Sequence, residues 1–120
     1  MLTDQQLETI AKNHIKKETT VAKNYSFTNA QQMAATNPAT FSAPSMADLQ
    51  AVRPGGYVKV CAEAGGQGER CWVAVEDVRQ TPAGPLFAGR IDNNLIYTKL
   101  HGLRCGDVVV VEPFQVYQVM

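Results

Sequence analysis

Apolar and polar positions change period once along this chain, near residue 56. Before that point the spacing is helical. Leu7, Ile10, Ala11, His14 and Ile15 fall on one face of a helix, with Gln5, Glu8, Lys12 and Lys16 on the other. Thr3 and Gln6 form a Thr-x-x-Gln capping box, and Leu2 and Leu7 stand at staple positions. The pattern predicts a helix over residues 3–17. Thr28 and Gln31 repeat the box and predict a short helix over 29–35, ended by Asn37-Pro38. Ser45 and Asp48 open a third, in which Met46, Leu49 and Val52 share a face before Pro54. Residues 18–25 and 40–44 read as extended chain or connector, with Phe41 as an apolar anchor.

After the turn Arg53-Pro54-Gly55-Gly56 the period becomes two. Val58, Val60 and Ala62 point one way, and Tyr57, Lys59, Cys61 and Glu63 the other. Gly65-Gly66-Gln67-Gly68 is a hairpin loop, and a turn centred on Gly66 would set Cys61 opposite Cys71 and Val60 opposite Trp72. Strands follow at residues 69–78 and 86–92, a short one at 95–97, and the most β-prone run, Val108-Val109-Val110-Val111. Glu112-Pro113-Phe114 predicts one turn of 3₁₀ helix before a last short strand within 115–119. Residues 100–105 read as a loop. The valine run is apolar on both faces, which predicts cover on both sides, with the first helix as one cover.

These elements predict an α+β fold. N-terminal helices precede a small, strongly bent antiparallel sheet or SH3-like barrel of five or six strands. One domain spans 1–120: residues 1–52 form a helical cover and connector, and 53–120 the barrel-like part. The 120 residues suffice for a single core. With 11 basic and 11 acidic residues the chain is neutral, which argues against nucleic acid as a partner and against a polybasic membrane surface. The polar start lacks a secretory pattern and no apolar run is long enough to span a bilayer, so the expected compartment is the cytoplasm and no membrane is expected. The odd count of 3 cysteines, without CxxC, reads as reduced thiols.

Four segments resemble the YegJ-like family of bacterial and phage proteins, whose function is unknown. They are Pro54-Gly55-Gly56-Tyr57-Val58-Lys59-Val60, Gly68-Glu69-Arg70-Cys71-Trp72-Val73-Ala74-Val75, Gly89-Arg90-Ile91-Asp92-Asn93 and Gly106-Asp107-Val108-Val109-Val110. The likeness covers roughly residues 40–119. It departs at Cys71, where members carry an aromatic residue, and at the Val116–Val119 end, which lacks their acidic-tryptophan close. It supports the fold more than any activity.

Chemistry is sparse. Cys105 with His101 is the nearest approach to a nucleophile pair, but no elbow, oxyanion loop or orienting third group accompanies it. His and Cys are not at ligand spacing, so no metal and no cofactor are expected. The glycine loop is followed by a strand rather than a helix, and so reads as a turn rather than a phosphate cradle. Recognition is the reading preferred. Glu69, Arg70 and Trp72 cluster, and Arg90, Asp92, Asn93 and Asn94 decorate the next turn; Trp and Arg are enriched at binding hot spots. The plainer alternative packs Trp72 into the core and leaves Glu69 and Arg70 as a solvated strand start. On that view Glu69 and Arg70 are the better candidates for contact.

Three functions follow as expectations. The first is a non-enzymatic interaction module, an accessory or inhibitory protein of a phage or mobile element, holding a protein partner. The second is a small barrel binding nucleic acid or nucleotide, signalled by Lys59, Arg70, Arg79 and Arg90 on one face beside Tyr57 or Trp72. The third is a thiol-dependent enzyme using Cys71 or Cys105. The stripe of the first helix further predicts a homodimer through residues 3–17.

Overall fold

Two glycines set the register of the sheet. Gly65 and Gly66 take φ of 56° and 78°, the left-handed pair that a two-residue hairpin turn needs and that glycine supplies without a steric penalty. The turn therefore closes Ala64 onto Gln67, and every pair downstream follows: Cys61 faces Arg70, Val60 faces Cys71, and Lys59 faces Trp72. This is one residue away from the register expected with the turn centred on Gly66. The shift matters, because a one-residue slip exchanges the faces of a strand. In the observed register Val60 and Cys71 point inward together, while Lys59 and Trp72 point outward together.

The computed structural model describes residues 25–120. Its strands are β1 (Ser26–Phe27), β2 (Tyr57–Ala64), β3 (Gln67–Thr81), β4 (Gly84–Ile91), β5 (Val108–Val111) and β6 (Gln118–Val119). All pairings are antiparallel, in the order β1-β2-β3-β4-β5, and β6 shares the outer edge of β2 with β1. β3 is the pivot. Its first half pairs with β2 as far as Ala74, and from Val73 onward it pairs with β4. A bulge between Val75 and Asp77 adds one residue at the crossing, which sharpens the bend and curls the sheet into a half-barrel.

The concave side is the core. Val58, Val60 and Ala62 of β2, Cys71, Val73, Val75 and Val78 of β3, Phe87 and Ile91 of β4, and Val109 and Val111 of β5 all point into it and are buried. Two short helices lie beside it, α1 (Ala30–Thr36) and α2 (Met46–Gln50). The α2 capping box is the one expected, Ser45 with Asp48, and Leu49 and Val52 dip from it into the core. The cap of α1 is Asn29, which accepts from the Gln32 N–H, one residue later than the predicted Thr28 box. Thr28 is occupied elsewhere: its N–H and hydroxyl both donate to the Cys61 carbonyl at the edge of β2.

Residues 26–27, which no pattern in the sequence singled out, form a strand. Two other expectations change. Residues 95–97 form no strand, and residues 98–101 form the helical turn α3 (Thr98–His101), capped by Gly102 in the left-handed region at φ 78°. The 3₁₀ turn appears at Pro113–Gln115 as predicted. The helix predicted over 3–17, its cover of the valine run and the dimer it was to mediate lie outside the described residues.

Candidate functional site

β4 stops pairing with β3 at Ile91, opposite Val73, yet the chain does not leave the sheet. It continues beside residues 69–72 through a mixture of backbone and side-chain bonds. The Asp92 N–H donates to the Trp72 carbonyl at 2.8 Å, and the Trp72 N–H donates to Asn93 Oδ1. Three residues further down β3, the Glu69 carboxylate accepts from the Ile96 N–H at 2.7 Å and the Tyr97 N–H at 2.9 Å. Side chains thus stand in for the missing strand.

Glu69 is the centre of this clamp. Its side chain is only 10% exposed, and its Oε1 also meets His101 Nε2 at 3.0 Å. His101 is 1% exposed, and its Nδ1 accepts from the Leu103 N–H at 3.0 Å. That acceptor role fixes the tautomer: Nδ1 carries the lone pair, so Nε2 carries the proton and donates it to Glu69. Burial pushes the Glu69 carboxyl up, but the bonds from His101 and from the Ile96 and Tyr97 N–H groups outweigh it and hold the carboxyl below its ordinary range. The Thr98 hydroxyl closes the loop on the Leu103 carbonyl at 2.8 Å. The loop so fixed presents Ile96, 82% exposed, with Tyr97 and Leu100 beside it.

The convex face next to this loop carries the aromatic and cationic side chains. Trp72 is half-buried on that face; the Lys59 ammonium lies 4.8 Å from its ring centre, and the Tyr57 ring meets it edge-on at 6.5 Å. Arg70, on the same side of β3, lies over the Tyr117 and Phe41 rings at 5.1 and 5.8 Å. Phe41, the anchor of the connector, is held there against Tyr117. Trp72 is therefore neither a core residue nor fully free.

The residues singled out from the sequence divide by role. Trp72, Asp92 and Asn93 meet directly. Glu69, expected at an exposed strand start, is a nearly enclosed anchor for the loop. Arg70 belongs to the aromatic cluster. Arg90 lies further across the sheet, bonded to Glu76 Oε2 at 3.2 Å and to the Gly106 carbonyl at 3.1 Å. Asn94 is exposed in the loop. From the sequence, Lys59 and Tyr57 stood out only as signs of a nucleic-acid face, and Tyr117 and the Ile96–Leu100 tip were missed. The tip was not detectable, because its position depends on a contact between residues 32 apart.

The thiols fall into different environments. Cys71 is buried in the core, and burial, followed by the nearby Glu69 charge, pushes its thiol up to about 12. A nucleophilic cysteine needs the opposite shift. Both ring nitrogens of His101 are engaged, so the imidazole has no free nitrogen to activate Cys105, which is exposed. A direct expectation follows for thiol labelling of the native protein near pH 8. Cys105 should react rapidly and Cys71 only on unfolding; a fast phase surviving in a Cys61→Ser, Cys105→Ser variant would contradict this.

A separate apolar cavity of about 350 Å³ opens between α2 and the 3₁₀ turn, lined by Pro44, Met46, Leu49, Ala83, Pro113 and Phe114, with Gln31 and Ser45 at its polar margin. Among the described residues no ionisable side chain lines it. Among the described residues no group of three or more His, Cys, Asp or Glu side chains is placed to hold a metal ion, and no helix is long and apolar enough to cross a membrane. Comparison with protein-family models, with curated proteins and with solved structures finds no match, so the likeness to the YegJ-like family rests on its four segments alone.

Proposed function

We propose that this chain is a small, non-enzymatic interaction module that holds a protein partner on the convex face of β2 and β3 and the adjoining loop 92–100. The observation that carries the proposal is the arrangement around Trp72. An indole, a phenol and two cationic side chains face outward on a rigid sheet, beside a loop tip whose apolar residues are held out by a buried carboxylate. Rigid aromatic and arginine anchors are the residues that dominate protein interfaces. A fixed loop also lowers the ordering cost of binding. The biological setting, an accessory or inhibitory role in a phage or mobile element, rests on the resemblance alone.

Charge favours a protein over nucleic acid. Lys59, Arg70, Arg79 and Arg90 all occupy outward positions, but Glu63, Glu76 and Asp77 stand among them, and Arg90 is paired with Glu76. Such a mixed face lacks the uncompensated basic stripe that phosphate binding uses.

The test is capture at native concentration with wild-type and Trp72→Ala chains in parallel. A protein retained by the first and lost by the second is the expected result. Identical capture by both, or no partner at all, contradicts the proposal. If single-stranded nucleic acid is retained instead, with an affinity that falls steeply with salt, the partner class is wrong.

A further inference from the structure

We propose that the free edge of β5 pairs with the same edge of a second copy of this chain, joining two half-barrels into one continuous antiparallel sheet. The argument starts from which way each backbone group points. Asp92 donates to Trp72 across β3, so Arg90 and Ala88, at alternate positions, also direct their N–H and C=O groups toward β3. The Ile91 N–H donates to the Asp107 carbonyl at 2.9 Å, so Ile91, Gly89 and Phe87 direct theirs toward β5. Val109 and Val111, opposite Gly89 and Phe87, are therefore consumed by β4. Val108 and Val110 must point theirs the other way, off the edge of the sheet. Among the described residues, none bonds to them there.

The remaining edges are managed differently. The opposite side of the sheet is closed by β1 and β6, each two residues long, and very short edge strands resist pairing. β5 is a run of four valines, with Val108 and Val110 half-buried, and among the described residues it has no such protection along its length.

A second copy fits the edge without remainder. An antiparallel two-fold centred on Val109 sets Val108 of each copy opposite Val110 of the other. Each outward N–H then meets an outward carbonyl, and none is left over. Glu112 falls opposite Gly106 of the second copy, whose carbonyl holds the Arg90 guanidinium, so each Glu112 comes beside an arginine that also bonds Glu76. Pro113 begins the 3₁₀ turn immediately after Glu112, which limits the pairing to this short run. The contact is isologous and closes at two copies rather than growing into a fibre. It is a different surface from the Trp72 face, so the dimer and the partner proposal stand or fall separately.

The test is sedimentation velocity of the full chain over a concentration series, with backbone amide exchange read in parallel. A concentration-dependent dimer is expected, with slowed exchange at the Val108 and Val110 amides. Val110→Pro removes one outward donor per copy while sparing the β4 ladder, and Val108→Lys places a charge on the edge. Val110→Pro should weaken the dimer by about tenfold or more, the loss of two hydrogen bonds across the two-fold, and Val108→Lys should weaken it through the like charge each copy then brings to the shared edge. Should Val110→Pro fail to fold, Val108→Lys and the exchange data decide. A monomer throughout the micromolar range overturns the proposal. So does a dimer unmoved by either edge variant, or one lost only when Leu7, Ile10 and Ile15 are made polar.

Discussion

Gly89→Ala is expected to abolish folding, or to destabilise the chain by about 4 kcal/mol or more. Gly89 faces Val75 at the crossing where β3 passes from β2 to β4, next to the bulge. A Cβ at residue 89 would lie 2.1 Å from the Ala74 carbonyl oxygen and 2.9 Å from its carbon. Both are backbone atoms of the adjacent strand, so no side-chain rotation relieves the overlap. Relief requires the two strands to part where the half-barrel is most sharply bent. Gly66→Ala is the informative contrast. Its Cβ would meet nothing within 4 Å, and the penalty comes only from φ of 78°, about 1 kcal/mol. Urea denaturation of the three proteins measures this. A Gly89→Ala chain within about 1 kcal/mol of wild type would mean that the two strands are not packed as described.

Glu69→Ala is expected to cost about 3 kcal/mol and to release the loop from residue 95 to residue 103. The substitution removes the acceptor of three donors at once, and leaves the His101 Nε2–H buried without a partner. Glu69→Gln keeps the volume and one acceptor oxygen, and should recover part of the loss. The pH dependence has a definite sign. The folded carboxyl titrates below its value in the unfolded chain, about 4.3. Its contribution is therefore complete above that value and is lost as pH falls through the lower, folded value. Amide exchange at Ile96 and Tyr97, corrected for its intrinsic rate, should show constant protection from neutral pH to about 5 and weakening protection below about 4. Glu69→Gln should remove that acid-dependent step. Unchanged stability and loop protection in Glu69→Ala would show that the carboxylate is not the anchor.

The sheet was legible because glycine turns and period-two alternation are local signals. Tyr57–Ala64, the valine run and the Ser45–Asp48 box all declare themselves within a few residues. The hairpin register is a local signal too: with Gly65 and Gly66 as the two turn residues, Ala64 closes on Gln67 and Val60 falls opposite Cys71. What local signals could not provide is the side on which Trp72 lies. Arg70, Trp72 and Ala74 alternate with Cys71, Val73 and Val75, and both sets include apolar residues. Only the curl of the sheet, set by the bulge at Glu76 and the close approach at Gly89, makes the second set concave and buried. The clamp was hidden for a related reason. Leu95-Ile96-Tyr97 looks like a strand in isolation, and it is a carboxylate from β3, with a histidine from the next turn, that holds it as a loop. An acidic residue at a strand start ordinarily reads as solvated, so Glu69 was identified as important but in the wrong role.

Trp72 is the chain's one tryptophan, so, with any signal from the partner alone subtracted, its fluorescence reports on the proposed face with no other indole of this chain in the background. The decisive measurement is acrylamide quenching of Trp72 in the free chain and with saturating captured partner. A half-buried indole on a binding face should be quenchable in the free chain, and should lose most of that accessibility, with a blue-shifted emission, when the partner is bound. Quenching and emission unchanged at saturation would place the partner elsewhere and contradict the central claim.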